Sequence, residues 1–177
     1  NPNEIQSLIE PAASYSEPRL PLATQPSPRP PHNHYQRLRV EIGAGGIIYR
    51  RREGHLEFFF LRHGKGRWIF PKGHRDLGET LVETAIREIK EEVGFENLRF
   101  VAPIGKTSFR LRKDGQLIEK NIQFFLFEAA PDAKEILTGE EAIWEAIWVP
   151  VERIFETCGY MNLAKLLVKA LRLISQE

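Results

Sequence analysis

The sequence predicts an α/β fold in which a mixed β-sheet lies between helical layers. Two patterns lead to this prediction: apolar runs with the alternation and length of strands, and three segments predicted to be helices, two of them amphipathic. With 177 residues, 42% of them hydrophobic, the chain can build an ordinary core without a disulfide or a structural metal.

The first 36 residues differ in composition from the rest of the chain. Eight of the twelve prolines lie within the first 31 residues, among Ser, Ala, Thr, Gln and Asn. Such a segment buries too little apolar surface to offset its chain entropy. We therefore predict an extended or disordered extension over residues 1–36 and one folded domain over residues 37–177. A short helix near the start, and docking of this extension onto the domain or a partner, remain alternatives.

The first half of the predicted domain contains three strand segments. Apolar and charged residues alternate over residues 38–42, as in a half-buried strand. Glycines at positions 43, 45 and 46 then precede an apolar segment, which indicates a bulge or a backbone closely approached by another element. Residues 56–61 are apolar enough for a buried strand, and residues 68–70 form a short strand that Pro71 ends.

The second half of the domain begins with a predicted hairpin. Residues 98–112 and 117–127 flank an Asp-Gly pair, which favours a tight turn between antiparallel strands. Residues 142–149 form another predicted strand, and Pro150 opens a helix that extends to about Thr157. Residues 162–174 are amphipathic and predict the last helix.

The remaining helix is predicted between Thr80 and Gly94. Thr80 and Glu83 have the spacing of a capping box, so the helix should begin at about Leu81. Gly94 is placed to end it in the left-handed conformation. One side of this helix is an apolar stripe formed by Val82, Ala85, Ile86, Ile89 and Val93.

Three carboxylates share another face of this helix. Glu88, Glu91 and Glu92 are separated by three and four residues, so they are neighbours on the helix surface. Like charges at these spacings cost a helix about 0.2–0.5 kcal/mol per pair. A hard divalent cation offsets this repulsion and prefers oxygen ligands. The pattern therefore indicates a metal site.

The segment from residue 73 to residue 95 resembles the signature of the Nudix hydrolases. That signature is a glycine, five residues, a glutamate, seven residues, Arg-Glu, an aliphatic residue, any residue, Glu-Glu, any residue, Gly and an apolar residue. The matching positions are Gly73, Glu79, Arg87, Glu88, Ile89, Glu91, Glu92, Gly94 and Phe95. The resemblance implies the Nudix α/β/α sandwich, with this segment as the catalytic box helix, over about residues 38–177.

The resemblance also assigns roles within the box. It implies that Glu88, Glu91 and Glu92 bind magnesium or manganese, together with the main-chain carbonyl of Lys72. It implies that Arg87 orients other groups of the catalytic site. As an always-charged fork, Arg87 is expected to hold the carboxylate of Glu83, one turn earlier, or of Glu79.

The hydrolysis implied by the family needs a carboxylate that accepts a proton from water. Glu91 and Glu92 are candidates within the box. In many relatives this base, or another metal ligand, lies on the loop before a late Trp-containing strand. Glu141 is the first candidate there and Glu145 is the second.

Sequence features around the box resemble the diadenosine polyphosphate hydrolase branch of the family. They are the segment of residues 68–74, the glycines of residues 43–46, and a late lysine followed by two phenylalanines. The cationic candidates for binding phosphate oxygens are Lys72, His74, Arg62, Lys65 and Lys120. The aromatic candidates for stacking on a base are Trp68, Phe109, Phe124 and Trp144. Arg75 and Asp76 depart from the acidic or Pro-Glu residues of that branch, which leaves substrate length and base preference open.

The resulting prediction is a magnesium-dependent pyrophosphohydrolase acting on a small nucleotide, foremost a diadenosine polyphosphate. Other enzyme hypotheses are hydrolysis of (deoxy)nucleoside triphosphates or oxidised nucleotides, of the 5′ diphosphate of RNA, or of diphosphoinositol polyphosphates. A nucleotide-sensing Nudix domain is the non-enzyme alternative, although such domains typically lose an acid of the box.

Charge and cysteine content restrict the partners and the compartment. A net charge of +1 gives no general attraction to nucleic acid or to a membrane surface, so neither is predicted as a partner. No apolar run approaches the length of a membrane span. Cys158, the single cysteine, fits a reducing compartment, so a cytoplasmic location is predicted.

Overall fold

The computed structural model describes residues 38–137 and 143–176. The predicted N-terminal extension and Glu141 lie outside the described residues, as do the side chains of residues 143 and 144.

A mixed sheet of six strands forms the centre of the fold. The strands pair in the order β4-β5-β1-β2-β6, and β3 pairs with β1 beside β2. β1 and β5 run parallel, whereas the other pairs are antiparallel, so the sheet is mixed as predicted. The strands are β1 (Arg39–Arg52), β2 (His55–His63), β3 (Lys72–His74), β4 (Arg99–Lys113), β5 (Gln116–Glu128) and β6 (Ile143–Pro150).

Helices cover both faces of this sheet. They are α1 (Leu81–Val93), α2 (Ile154–Thr157) and α3 (Met161–Ile174), and a 3₁₀ turn (Val151–Arg153) precedes α2. The helix predicted from residue 150 to residue 157 is therefore a 3₁₀ turn followed by one α-helical turn. None of the described helices is both long and apolar enough to cross a membrane.

The core consists of two apolar clusters, one on each face of the sheet. One contains the stripe of α1 with Ala44, Ile48 and Phe59 from the central strands. The other contains the buried residues of α3 with alternate residues of the same strands, such as Ile47 and Phe60. Successive side chains of a strand point to opposite faces, so each central strand serves both clusters. The layered α/β/α prediction is confirmed.

The glycines of β1 allow other elements to lie against its backbone. A methyl group on Gly43 would lie 2.2 Å from the carbonyl oxygen of Gly73 in β3. A methyl group on Gly46 would lie 2.4 Å from Cδ1 of Ile89 in α1. The close approach predicted from these glycines is therefore confirmed, although β1 continues through them as one strand.

The predicted strand at residues 68–70 is wrong. Trp68 and Ile69 form only isolated bridges, in which Ile69 exchanges two backbone hydrogen bonds with Leu61. Pro71 follows directly and has no N–H to donate, so a regular ladder does not continue through it. The sheet instead gains β3, one residue later.

The start of β1 also differs from its pattern. Residues 39–42 form a strand, but the prediction that its apolar side is half-buried is wrong within the described part of the chain. Leu38, Val40 and Ile42 are 41%, 52% and 37% exposed. Within the described residues, these three side chains around the start of β1 are therefore not covered by the helical layers.

Candidate functional site

Both ends of α1 have the predicted caps. The hydroxyl of Thr80 accepts a hydrogen bond from the Glu83 N–H, and the Glu83 carboxylate accepts one from the Thr80 N–H. Gly94 ends the helix with φ of 71°, and its N–H donates to the carbonyl of Lys90. These contacts fix where the helix begins and ends, and therefore where its carboxylates lie.

β3 separates the acidic side of the site from a pocket. Gly73 faces α1, since a methyl group there would lie 2.0 Å from the carboxyl carbon of Glu88. On the other face, the neighbouring Lys72 and His74 line the pocket. A three-residue strand thus presents a bare backbone to the acids and two basic side chains to the pocket.

The three box carboxylates have different surroundings. The side chain of Glu88 is 14% exposed and accepts a hydrogen bond from Arg87 Nη1 at 2.9 Å. Glu91 is 60% exposed and accepts from the same nitrogen at 3.1 Å. Glu92 is buried, and its Oε2 accepts from the Lys72 N–H at 3.2 Å. Two of the acids therefore share one cation, and the third is linked to β3.

Arg87 holds the loop before α1 against the helix. Its Nε and Nη2 donate to the two carboxylate oxygens of Glu79 at 2.6 and 3.0 Å. Nη2 also donates to the carbonyl of His74 at 2.8 Å. Glu79 further accepts hydrogen bonds from the Thr84 hydroxyl and the Asp76 N–H. The bidentate geometry is the one that a guanidinium provides and a lysine does not.

Glu79 is therefore the carboxylate that Arg87 holds, and the alternative of Glu83 is wrong because Glu83 caps the helix. The hydrogen bond from Arg87 is the main cause that lowers the pKa of Glu79 to about 2. The same pair raises the pKa of Arg87 above its ordinary value. Both side chains are thus charged at every physiological pH.

The pocket on the other face of β3 gathers basic groups from distant parts of the chain. His74 Nε2 lies 2.7 Å from Glu41 Oε2, and Lys120 Nζ lies 3.5 Å from the same oxygen. Phe109 lies on the same wall and is 40% exposed. The lining residues are Glu41, Ile42, Lys72, Gly73, His74, Phe109, Lys120 and Ile122.

Comparison with known proteins agrees with this arrangement. Residues 41–169 match the NUDIX domain, and this match includes the whole box, the pocket and most of α3. The chain belongs to the Nudix family.

Individual Nudix relatives support this assignment. The chain is 31% identical over 134 residues to the asymmetrical bis(5′-nucleosyl)-tetraphosphatase of Caenorhabditis elegans, covering 73% of this chain and 94% of that protein. It is 31% identical over 127 residues to an RNA pyrophosphohydrolase of a Marinomonas species, covering 62% of this chain and 78% of that protein. The mutator-type protein MutT4 of Mycobacterium tuberculosis is 28% identical over 157 residues. That match covers 84% of this chain but 62% of MutT4, so the chain spans less than two thirds of that relative.

Solved Nudix structures have the same fold. The crystal structure of a C. elegans Ap4A hydrolase binary complex matches with a TM-score of 0.64 at 25% identity. The superposition covers 77% of this chain and 99% of that chain. The resemblance to the diadenosine polyphosphate hydrolase branch is thus supported by both sequence and structure.

Nudix hydrolases generally use divalent metal ions, and the donors of the box suit such an ion. Glu88, Glu91 and Glu92 offer only carboxylate oxygens, which Mg²⁺ and Mn²⁺ prefer. The missing side chain of Gly73 leaves space that the carboxylate of Glu88 fills. Within residues 38–137 and 143–176 no three potential ligand side chains converge on one point, and Arg87 lies between two of the acids. The residues fit a hard dication, and their role as its ligands stays a prediction.

The other predicted substrate-binding residues lie apart from the pocket. Arg62 forms an ion pair with Glu145, and its guanidinium carbon lies 4.8 Å from the centre of the Trp68 ring. Lys65 is exposed in the turn after β2. None of these residues lines the pocket that contains Lys72, His74 and Lys120. Their role in substrate binding, and that of Glu145 as an alternative base, stays a prediction.

Two of the other predicted stacking candidates can be placed. Phe124 is 1% exposed and belongs to the core cluster beneath α3, so it is closed to a ligand in this structure. Phe109 is exposed on the pocket wall. The side chain of Trp144 lies outside the described residues.

Sequence reasoning missed Glu41. It lies on β1 between two apolar residues, and this alternation predicted only that its side chain is on the solvent-exposed face of the strand. Its neighbours, Lys120 and His74, come from β5 and β3. No local pattern connects these three positions, so the sequence offers no signal for this contact.

Proposed function

We propose that this Nudix hydrolase cleaves a phosphoanhydride bond of a dinucleoside polyphosphate of the diadenosine tetraphosphate type, with Mg²⁺ as its metal. One observation supports this most: acids on α1 and a pocket with basic side chains lie on opposite faces of the same three-residue strand. A polyphosphate chain needs cations along its length, and its hydrolysis needs negative ligands for a metal at the bond that breaks.

The acidic face supplies the metal ligands in this proposal. Glu88, Glu91 and Glu92 would hold the ion, with the carbonyl of Lys72 as a further ligand. When bound, Mg²⁺ lowers the pKa of coordinated water and polarises phosphoryl oxygens. Arg87 keeps Glu88 in place and ties the preceding loop to the helix through Glu79. Arg87 is therefore a positioning residue.

The pocket face supplies the phosphate contacts. Lys72, His74 and Lys120 place hydrogen-bond donors on one wall, and each would bind a phosphate oxygen away from the bond that is cleaved. Phe109, exposed beside them, would stack on an adenine base. A dinucleoside substrate would contact both the basic side chains and Phe109, because its phosphate chain has a nucleoside, and therefore a base, at each end.

A carboxylate accepts the proton of the attacking water. Glu91 is the most exposed of the box acids at 60%, so water reaches it most easily, whereas Glu92 is buried. Glu141 is the alternative outside the described residues. The product of the attack is two phosphate-bearing fragments, and the proton leaves the site through the base.

Hydrolysis of the 5′ end of RNA is the second candidate function. It is favoured by the similarity to RNA pyrophosphohydrolases. The net charge of +1 argues against it, because binding of an RNA backbone depends on several cationic contacts. Nucleoside triphosphates and diphosphoinositol polyphosphates use the same cations and remain alternatives to be measured.

A substrate panel tests the proposal. Purified protein with Mg²⁺ is assayed on diadenosine tetra- and hexaphosphate, ATP, 8-oxo-dGTP, 5′-triphosphorylated RNA and a diphosphoinositol polyphosphate. We expect the highest kcat/KM on a diadenosine polyphosphate. Reaction in ¹⁸O-labelled water, followed by mass spectrometry of the products, identifies the phosphorus atom that is attacked. A higher kcat/KM on RNA or on a mononucleotide would overturn the proposed substrate class.

A further inference from the structure

The pocket of basic side chains contains one fixed anion. Glu41 Oε2 lies 2.7 Å from His74 Nε2 and 3.5 Å from Lys120 Nζ, and its Oε1 lies 3.3 Å from Arg39 Nε. The side chain is 15% exposed. Hydrogen bonding to His74 is the main cause that lowers the pKa of Glu41, with a further contribution from Lys120. The group is therefore a carboxylate at neutral pH.

Backbone pairing holds this carboxylate in place. Glu41 and Lys120 are register partners in the parallel pair of β1 and β5. Two residues further along β1, Gly43 pairs with His74 of β3. Both of its partners in the pocket are thus fixed to the strand that carries Glu41. A bound phosphate has to share His74 and Lys120 with Glu41 or displace it.

The electrostatic repulsion between Glu41 and a bound phosphate depends on the charge of that phosphate. The terminal phosphate of a mononucleotide has a second pKa of about 6, so it carries close to two charges at neutral pH. Each phosphate of a chain bridged between two nucleosides carries one negative charge. Repulsion between two anions is proportional to the product of their charges. A terminal phosphate therefore meets about twice the repulsion from Glu41 that a bridging phosphate meets.

We infer that Glu41 is a specificity-determining residue that disfavours ligands with a terminal phosphate and so favours polyphosphate chains bridged between two nucleosides. This inference rests on the proposed function, because it assigns the pocket to the phosphate chain. It explains why an anion lies among the basic groups of a site for anionic ligands. The carboxylate lowers affinity for all such ligands, but it lowers affinity for a doubly charged end most.

The test compares diadenosine tetraphosphate with adenosine 5′-tetraphosphate, which has the same number of phosphates and a terminal one. We expect Glu41→Gln to lower KM about tenfold for adenosine tetraphosphate and about threefold for diadenosine tetraphosphate, with kcat changed less than twofold. Glutamine keeps the size of the side chain and an oxygen that accepts from His74. Glu41→Thr, which suits a strand, is a second neutral variant.

Glu119→Gln is the matched control. Glu119 is the neighbour of Lys120 on β5, so its side chain points to the opposite face of the sheet. It is also a carboxylate held by a basic residue, since it accepts a hydrogen bond from Arg110 at 2.7 Å. We expect Glu119→Gln to leave both KM values unchanged, because the loss of one negative charge elsewhere does not relieve the pocket.

Direct binding separates this inference from the proposed function. Calorimetric titration with inorganic tripolyphosphate in EDTA measures affinity without turnover, and we expect Glu41→Gln to bind it more tightly than the wild type. Equal changes in both KM values, or weaker binding of tripolyphosphate by both neutral variants, would overturn the inference while diadenosine tetraphosphate is still cleaved. A wild type that cleaves no dinucleoside polyphosphate, but binds tripolyphosphate more tightly after Glu41→Gln, would overturn only the proposed substrate.

Discussion

The two faces of β3 are electrostatic opposites. Towards α1, the guanidinium of Arg87 lies among three glutamate carboxylates. Towards the pocket, the carboxylate of Glu41 lies between His74 and Lys120. The acidic face therefore contains one basic side chain, and the basic face contains one acidic side chain. In the proposed function, one face serves a cation and the other an anion, and a short strand keeps the two sets of charges apart.

The largest effect is expected from the acidic face. Glu91→Gln and Glu92→Gln should each lower kcat at least about a hundredfold, because in the proposed function each removes a metal ligand or the base. Steady-state kinetics on the preferred nucleotide at saturating Mg²⁺ measures this loss. Glu96→Gln is the matched control, since Glu96 is 61% exposed and pairs with Lys90. Near-wild-type turnover of both box variants would remove the metal assignment.

Gly73→Ala tests the packing of β3 against α1. A methyl group at this position meets the carboxyl carbon of Glu88 at 2.0 Å, so one of the two elements has to move. Overpacking of this kind costs about 1–3 kcal/mol. Urea unfolding of Gly73→Ala, Glu88→Ala and the double variant measures the coupling. We expect the cost of Gly73→Ala to fall in the Glu88→Ala background, and full additivity would contradict the contact.

Removal of the Arg87 guanidinium should lower both the free energy of unfolding and the rate of hydrolysis. Arg87→Ala deprives Glu79 and Glu88 of charged hydrogen bonds, and we expect a loss of about 2 kcal/mol in the free energy of unfolding. Arg87→Lys keeps the charge without the planar fork and should recover only part of this loss. An unchanged melting temperature of Arg87→Ala would contradict its positioning role.

The same pair predicts how stability depends on pH. The pKa of Glu79 is about 2 in the folded protein against an ordinary value of 4.5, so this group stabilises the fold above pH 4.5. The contribution is lost as the pH falls from 4.5 towards 2. Chemical unfolding of the wild type and of Arg87→Ala should therefore give free energies that converge over this range. A constant difference down to pH 2 would show that another group is responsible.

The smallest effect is expected on the pocket face. Lys120→Ala should raise KM about tenfold, with little change in kcat. In the proposed function it removes a phosphate contact away from the reacting bond, and it leaves Glu41 less neutralised. Lys113→Ala, at the hairpin between β4 and β5, is the matched control. A fall in kcat as large as that of Glu91→Gln would contradict the separation of the two faces.

Features set by neighbouring residues were predictable from the sequence. The cap of Thr80 with Glu83, the apolar stripe of α1 and the ending at Gly94 depend on contacts within one helix, and all three are confirmed. The hairpin at Asp114 and Gly115 was predictable for the same reason, since its turn is local. Helical spacing likewise predicts that the box acids are neighbours on the surface of α1.

Features set by tertiary pairing were not predictable in the same way. Arg87 had two glutamates within reach, and only the folded loop shows that Glu79 is its partner. The pocket depends on the parallel register of β1 and β5, which no short-range pattern specifies. Burial of Val40 requires another element packed over it, which its alternation does not specify; the pattern predicted the strand, but Val40 is 52% exposed.

The parallel pairing of β1 with β5 has a consequence for synthesis on the ribosome. Residues 39–49 emerge early, yet the strand that completes their ladder, residues 118–128, follows only after the box has been translated. Contacts between such distant segments form slowly, and unpaired edges favour aggregation in the meantime. A nascent polypeptide released before residue 118 therefore contains every acid of the box but lacks Lys120 and Ile122, which line the pocket.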